Sequence, residues 1–220
     1  MDGVRKVTNN SLKSIYLFPS VKMGRQVWAD GPLEHDYIHL LEPDSEVSSY
    51  RGQPLRIRYQ LKGERRPRIY TPDFMVVRGG RIQIVEVKLE ADARKEKYQR
   101  IFRIARFACR RQGYEFVVVT ETTIRKQPLL NNLKTCWRYA RTPIDMARYT
   151  RCCREFFLTR TEASLIELMQ FFEAKQLKRQ AVYSLLYWGI LATDLMKPVG
   201  PDSIITYPAL TSVTEARRGG

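Results

Sequence analysis

"TPDFMVVRGGRIQIVEVK", residues 71–88, contains two apolar segments joined by Gly79-Gly80. A glycine pair between two segments rich in β-branched residues is typical of a tight β-hairpin. The first segment begins at Asp73, and the second contains Glu86 and Lys88. Burying a lone charge in a sheet costs several kcal/mol, so these three residues require a partner or a function.

Strand periodicity places the two charges of the second segment on one face. Side chains alternate along a strand, so Ile84, Glu86 and Lys88 point one way and Val85 and Val87 the other. One interpretation is therefore a structural ion pair between Glu86 and Lys88.

Asp73 favours a second interpretation. It lies at the start of the preceding strand of a short hairpin, so its carboxylate can approach that of Glu86. Two carboxylates repel each other unless a cation or a proton lies between them. Oxygen ligands suit Mg²⁺, which completes its shell with water and phosphate oxygens. A lysine beside such an ion can orient or deprotonate water, so the pattern predicts phosphodiester hydrolysis.

The charge of the whole chain agrees with a nucleic-acid substrate. The 220 residues carry a net charge of +15 and have a pI of about 9.9, which favours a polyanionic partner. Nucleic acid is the first expectation and an acidic membrane surface the second. No apolar run approaches the roughly 18 residues of a membrane span, and the first residues lack a signal-peptide core. We expect a soluble cytoplasmic protein.

Cysteine and histidine give weaker metal signals. The four cysteines show no C-x-x-C spacing, so reduced thiols are expected rather than zinc ligands or disulfides. His35 and His39 are spaced i, i+4, but the glutamate of an H-E-x-x-H motif is missing.

The elements around the hairpin predict an α/β domain. Residues 1–31 lack a sustained period and are predicted to form a basic arm that orders on another molecule. "PLEHDYIHLLEPD" has helical spacing after Pro32, whereas "QPLRIRYQL" at 53–61 alternates as a strand. A helix at 92–113, with Asp92 as its N-cap and Gly113 after its end, precedes a buried strand at 114–120.

The helix at 92–113 also has a basic face. Such a face is often merely solvated, but the charge of the protein favours contact with DNA. The candidate DNA-binding residues are Arg94, Lys97, Arg100, Arg103 and Arg106.

The carboxy-terminal part predicts a smaller domain. Two helical segments separated by Lys175-Gln176, then two short extended pieces around residues 198–201, suggest a winged helix. We therefore predict three regions: the arm at 1–31, a nuclease domain with a helical connector at 32–150, and a winged-helix-like domain at 151–220. Winged helices bind DNA or protein, so this shape assigns no function.

Pro72-Asp73 followed by Glu86-Val87-Lys88 resembles the motif of the PD-(D/E)xK nucleases, which implies a restriction-endonuclease-like fold: a central mixed sheet flanked by helices. The longer stretch from Leu33 to Lys88, with "LEHD", "QPLRIRY" and "YTPDF…VEVK", resembles the TnsA endonuclease of heteromeric cut-and-paste transposases. This closer resemblance covers roughly residues 30–120.

The resemblance implies an active site. Its catalytic residues would be Glu34, Asp73, Glu86 and Lys88, with Glu34 supplied by the helix upstream. Asp73, Glu86 and the main-chain carbonyl of Val87 would bind Mg²⁺, with Glu34 holding a second ion or its water and Mn²⁺ as a substitute metal. The best-known family member has glutamine where this chain has Glu86.

The resemblance also implies partners. The protein would cut the 5′ ends of a transposon, the non-transferred strands, as a subunit beside a DDE-type, TnsB-like transposase that cuts and joins the 3′ ends. A TnsC-like AAA+ regulator would complete the assembly, which would act on double-stranded DNA at transposon ends in the bacterial nucleoid. The short chain is similar to the compact members found in CRISPR-associated transposons.

Two alternatives remain open on the sequence alone. One is a stand-alone restriction or repair nuclease with the same active site, which would cut naked DNA without partners. The other is a DNA-binding or assembly protein in which Glu86 and Lys88 form a structural pair and no reaction is catalysed.

Overall fold

The computed structural model describes residues 15–61, 63 and 65–208. The chain divides into two compact units, Met1–Lys126 and Gln127–Gly220. The boundary lies well before the predicted one at 150/151, because the segment predicted as a connector forms helices that belong to the second unit.

The first unit alternates strands and helices. Its elements are β1 (Tyr16–Ser20), β2 (Arg25–Ala29), α1 (Pro32–Leu41), β3 (Val47–Gly52), β4 (Ile57–Tyr59), β5 (Arg68–Tyr70), β6 (Phe74–Arg78), β7 (Arg81–Lys88), α2 (Glu90–Ala93), α3 (Glu96–Arg110), β8 (Glu115–Thr120) and α4 (Glu121–Ile124).

A four-stranded mixed sheet forms the centre of this unit. Its strand order is β3-β6-β7-β8, with antiparallel pairing from β3 to β7 and parallel pairing of β7 with β8. The Gly79-Gly80 turn joins β6 to β7 as predicted, and both glycines have a positive φ. Helices flank the sheet, so the predicted α/β, restriction-endonuclease-like fold is confirmed.

The segment "QPLRIRYQL" does not extend this sheet. Only Ile57–Tyr59 is a strand, and it pairs with β5 as a separate two-stranded ribbon. Its alternation was recognised correctly, but a period of two shows only that one face is buried and does not specify which strand is the partner.

Helix α3 covers one face of the sheet. Phe102, Ala105 and Cys109 of its apolar face are buried with Ile84 and Phe116 of the strands. The predicted N-cap was wrong: α3 begins at Glu96, after an extended residue that separates it from the short helix α2. Asp92 lies within α2 and pairs with the side chain of Lys95 instead.

The described part of the predicted arm is folded. Strands β1 and β2 form a hairpin against α1, and Phe18 is 0% exposed, with Val27 and Ala29 also buried. The alternation of these apolar residues was too short to predict strands without knowing that α1 covers them. Residues 1–14 lie outside the described part.

A buried carboxylate ties this hairpin to the rest of the unit. Glu42, which is 0% exposed, accepts hydrogen bonds from Ser20 Oγ at 2.7 Å, the Lys22 main-chain N–H at 2.8 Å and Tyr50 Oη. The Lys22 ammonium donates to the carbonyls of Leu41 at 3.2 Å and of residue 47 at 2.7 Å. A cation at the end of α1 also interacts favourably with the helix dipole.

The two histidines of α1 pack against aromatic rings. The rings of His35 and His39 lie 5.2 Å apart, and the ring of Phe18 lies 5.8 Å from the first and 5.1 Å from the second. Among the residues described, no group of three histidine, cysteine or acidic side chains is arranged to hold a metal ion. The four cysteines are all unpaired thiols, as predicted.

The second unit is mainly helical. Its elements are α5 (Leu129–Ala140), α6 (Met146–Phe157), β9 (Glu162–Ser164), α7 (Leu165–Ala174), α8 (Ala181–Tyr187) and β10 (Ile204–Thr206). Strand β10 pairs with β9 and bridges to Ala192. From α6 onward, the described residues of this unit form three helices and one pair of short strands, and the winged-helix fold stays a prediction.

Helix α5 is the first element of the second unit. It packs along α8, whose side chains are buried except for that of Tyr183, which is partly exposed and stacks on Tyr139 of α5 at 5.0 Å. From α5, Asn132 donates to the carbonyls of Leu195 at 2.9 Å and Lys197 at 2.8 Å. One helix thus covers both α8 and the loop before β10. In the described ranges, no helix is long and apolar enough to cross a bilayer.

Candidate active site

The register of the β6–β7 hairpin places Asp73 beside Glu86. Phe74 pairs with Val85, so the preceding residue lies across from the next one along β7. The Asp73 N–H donates to the Val85 carbonyl at 3.1 Å, and its Oδ2 accepts the Val87 N–H at 2.7 Å. These bonds hold the aspartate beside the Glu86-Val87 peptide.

Glu86 is buried in the sheet, with 4% of its surface exposed. Lys88 Nζ lies 3.1 Å from its Oε1, and Tyr70 Oη donates to its Oε2 at 2.7 Å. The ammonium of Lys88 also lies 4.8 Å from the centre of the Tyr98 ring. The expected pairing of Glu86 with Lys88 is therefore present, together with two tyrosines that the sequence reasoning missed.

Glu34 lies in the first turn of α1, and its Oε2 accepts the Asp30 N–H at 2.8 Å. The Asp30 carboxylate accepts from Gln53 Nε2 at 2.9 Å, and the Gln53 N–H donates to the Asp73 carbonyl at 2.7 Å. A chain of hydrogen bonds therefore links the loop before α1 to the strand that carries Asp73. Gly52 permits a close approach of β3 to β2 nearby, because a Cβ at residue 52 would lie 3.1 Å from the Trp28 carbonyl oxygen.

The three carboxylates share one electrostatic environment. Burial raises the pKa of Asp73 well above its ordinary value, and the charges of Glu86 and Glu34 raise it further. The Val87 N–H and Lys88 act in the opposite direction but do not cancel the effect. The structure thus brings together the acidic residues that the resemblance assigned to one site.

Lys88 is held as a cation in this environment. Burial alone would lower its pKa, but Glu86 and Asp73 outweigh burial and raise the pKa above its ordinary value. Burial and the neighbouring Glu86 likewise raise the pKa of Tyr70, so its hydroxyl stays a donor. Lys88 can therefore stabilise negative charge or donate to a water, but it is a poor base in this state.

The donor set suits a hard cation. Carboxylate oxygens are the ligands that Mg²⁺ prefers, and a cation between Asp73 and Glu86 would relieve the repulsion that raises the Asp73 pKa. The described side chains do not already form a coordination shell, since Tyr70 and Lys88 engage Glu86 and the Asp30 N–H engages Glu34. The Val87 carbonyl, the further predicted ligand, belongs to the same strand segment.

The predicted DNA-binding side chains are all exposed along α2 and α3. Arg94 pairs with Glu90 and Arg100 with Glu96, each at i, i+4. Lys97 lies 4.8 Å from the centre of the same Tyr98 ring that contacts Lys88. The amino-terminal turn of α3 therefore borders the carboxylate cluster, which consists of Glu34, Asp73 and Glu86. Arg103 and Arg106, the remaining candidates, are exposed farther along the helix.

Tyr70 gives a test of how Glu86 is positioned. We expect Tyr70→Phe to lower the free energy of unfolding by about 1.5–3 kcal/mol, because a buried carboxylate loses a hydrogen bond. Tyr98→Phe is the matched control, since it removes a nearby hydroxyl and keeps the ring under Lys88. Chemical denaturation of both variants without metal measures the difference, and equal stabilities would contradict a positioning role for Tyr70.

The comparison with known families agrees with this geometry. Residues 44–121 match the model of a family described as "TnsA-like endonuclease N terminal". No curated protein sequence gave a significant match to the chain. The matched range includes Asp73, Glu86 and Lys88 but begins after α1, so Glu34 is placed by the structure rather than by the match. The first unit of this protein therefore carries a TnsA-like endonuclease amino-terminal domain, which confirms the family resemblance found in its sequence.

Proposed function

We propose that this protein is the DNA endonuclease subunit of a cut-and-paste transposase and cleaves the non-transferred strands at the 5′ ends of a transposon. The observation that carries the proposal is the placement of Asp73 across from Glu86, with Lys88 beside it, inside a TnsA-like domain. An acidic pair in which Glu86 is buried and Asp73 partly buried, beside a fixed cation, meets the requirements of metal-assisted hydrolysis.

Asp73 and Glu86 would hold Mg²⁺, or Mn²⁺ in its place, with Glu34 supplying a further oxygen and the Val87 carbonyl completing the protein ligands. When bound, the ion would stabilise charge on the scissile phosphate and lower the pKa of a bound water. Lys88 would donate to the attacking water or to the phosphate, because its raised pKa keeps it protonated. Tyr70 would hold the Glu86 carboxylate in place from the opposite side.

The substrate would be double-stranded DNA. Support comes from the net charge of +15 and from the exposed basic face that begins beside the carboxylate cluster. The proposed partners, a DDE-type transposase that cuts the 3′ ends and an AAA+ regulator, follow from the family of the matched domain. Work at transposon ends would place the protein on the nucleoid in the bacterial cytoplasm.

A strand-specific excision assay tests the proposal. With the partner transposase, Mg²⁺ and a transposon-end substrate, we expect Asp73→Ala to abolish 5′-strand cleavage while the 3′ strands are still nicked. The loss should reach on the order of 10²–10³-fold, because a group that organises charge around the phosphate is removed.

Three outcomes would contradict this proposal. Unchanged double-strand excision by Asp73→Ala would show that another subunit cuts the 5′ ends. Efficient cutting of naked plasmid by the purified chain alone, abolished by the same substitution, would instead support a stand-alone nuclease. Salt-sensitive DNA binding without calorimetric binding of millimolar Mg²⁺ or Mn²⁺ would favour a non-catalytic role.

A further inference from the structure

Apart from Tyr70, the β4–β5 ribbon has no role in the proposed site, yet it is one of the most basic parts of the chain. Residues 53–70 contain six lysines and arginines and one acidic residue. This segment therefore supplies five of the fifteen net positive charges, although it is less than a tenth of the chain. Its share of the net charge greatly exceeds its share of the length.

The two faces of the ribbon differ sharply. Ile57 and Tyr70 pair across the strands, and their face packs on the apolar cluster beneath α3. Arg58 and Ile69 pair on the other face, where Ile69 is 62% exposed and Arg58 is also exposed. The ribbon is thus anchored by one face and presents arginine and an apolar side chain with the other.

The anchored face fixes the ribbon to the carboxylate cluster. Tyr70, the last residue of β5, donates directly to Glu86, and the chain reaches Asp73 three residues later. The outer face of the ribbon therefore has a defined position relative to the proposed cleavage site.

We propose that the outer face of the β4–β5 ribbon, with Arg58 and Ile69, together with the exposed Arg65 and Arg66 of the connection between its strands, is a DNA-binding element that holds the duplex next to the cleavage site. Arginine is suited to bind phosphate oxygens, and a two-stranded ribbon fits the major groove of a duplex. Ile69 would supply an apolar contact within the groove. This inference rests on the proposed function only for its substrate, duplex DNA, and it adds a second contact surface to that of α3.

The test is the salt dependence of duplex binding without cleavage. In EDTA, we expect Arg58→Gln/Arg65→Gln/Arg66→Gln to reduce the slope of log K against log[salt] by about 2–3, since each phosphate contact contributes about 0.9. Affinity at low salt should fall by about tenfold or more. Ile69→Ala should weaken binding while leaving the slope unchanged, because it removes no charge.

The matched control removes the same charge from the opposite end of the unit. Arg81→Gln/Arg110→Gln/Arg111→Gln changes exposed arginines at the start of β7 and the end of α3, whereas the cluster lies at the end of β7 and the start of α3. The control should keep most of the wild-type slope. An equal fall in both triple variants, or an unchanged slope in the ribbon variant, would overturn the proposal.

Two further measurements separate this inference from the proposed nuclease activity. Calorimetric titration with Mn²⁺ should give the same affinity for wild type and ribbon variant, because the carboxylates are untouched. If wild type binds duplex through the ribbon but never cuts it, the ribbon inference stands and the proposed function fails. If the ribbon variant keeps its DNA slope but loses binding to a partner protein, the ribbon is a protein-docking surface and the inference fails.

Discussion

The Asp73→Asn protein is expected to lose cleavage, by on the order of 10²–10³-fold, and yet to unfold at a higher temperature than wild type when metal is removed. Asparagine can still accept the Val87 N–H that Asp73 accepts at 2.7 Å. It carries no charge, so it no longer repels Glu86 and Glu34, which both raise the pKa of Asp73. Each kcal/mol gained raises the melting temperature of a domain of this size by about 2–4 °C.

The pH dependence of stability shows why the asparagine variant is expected to be more stable than wild type and not less. In the unfolded chain an aspartate has a pKa of about 3.9, whereas burial and the neighbouring carboxylates raise the folded pKa of Asp73. The folded state therefore binds more protons between these two pKa values, and wild type loses stability as the pH rises through that window. The asparagine variant lacks this loss, so the difference in stability between the variant and wild type should grow from pH 4 upward.

Thermal unfolding in EDTA across this pH range measures the effect. Asp202→Asn is the matched control, since it makes the same substitution at an exposed position of the second unit and should change stability by no more than about 0.5 kcal/mol. An asparagine variant less stable than wild type at neutral pH would show that the charged Asp73 carboxylate stabilises the fold, and it would contradict this prediction. Added Mg²⁺ should stabilise wild type more than the variant, because the bound ion offsets the repulsion.

The largest loss of stability is expected at Glu42 rather than in the candidate site. Glu42→Ala should lower the free energy of unfolding by about 3–5 kcal/mol, because it leaves the buried hydroxyl of Tyr50 and the ammonium of Lys22 without their acceptor or counter-charge. Burial already lowers the pKa of Lys22, with Glu42 acting against that shift. Glu42→Gln keeps an acceptor oxygen and should cost less than half as much.

Chemical denaturation of both variants, monitored by circular dichroism, measures this difference. Glu46→Ala is a suitable control, because Glu46 is an exposed glutamate close by in the chain. Equal losses for Glu42→Ala and Glu46→Ala would contradict the network. Limited proteolysis should also cut the β1–β2 hairpin of Glu42→Ala first, since Ser20 and Lys22 connect that hairpin to the sheet through this carboxylate.

The parts of the site that depend on local periodicity could be predicted from the sequence. A strand places alternate side chains on one face, so Glu86 and Lys88 were correctly paired, and the short hairpin brought Asp73 to them. Glu34 required the family resemblance, because nothing in its own helix indicates which sheet edge it meets. Tyr70 was missed for a related reason: its contact with Glu86 depends on how an isolated ribbon packs, which a period of two does not determine.

The errors in the predicted fold have the same origin, namely contacts that local sequence patterns do not specify. The β1–β2 hairpin was taken for an arm because its short apolar alternation gains meaning only from α1, which covers it. The start of α3 was displaced because Asp92 is a good capping residue in sequence, whereas the extended backbone at Lys95 sets the boundary. Local preference identified the types of element, and long-range packing decided their limits.

Helix α5 has a consequence for how the second unit could meet DNA. The side chains of α8 are buried except for that of Tyr183, which stacks on Tyr139 of α5. Asn132 of α5 also fixes the loop before β10 through the carbonyls of Leu195 and Lys197. A helix that reads bases must present its side chains to the groove, so α8 would have to leave this packing first. We therefore expect α8 to make no base contacts.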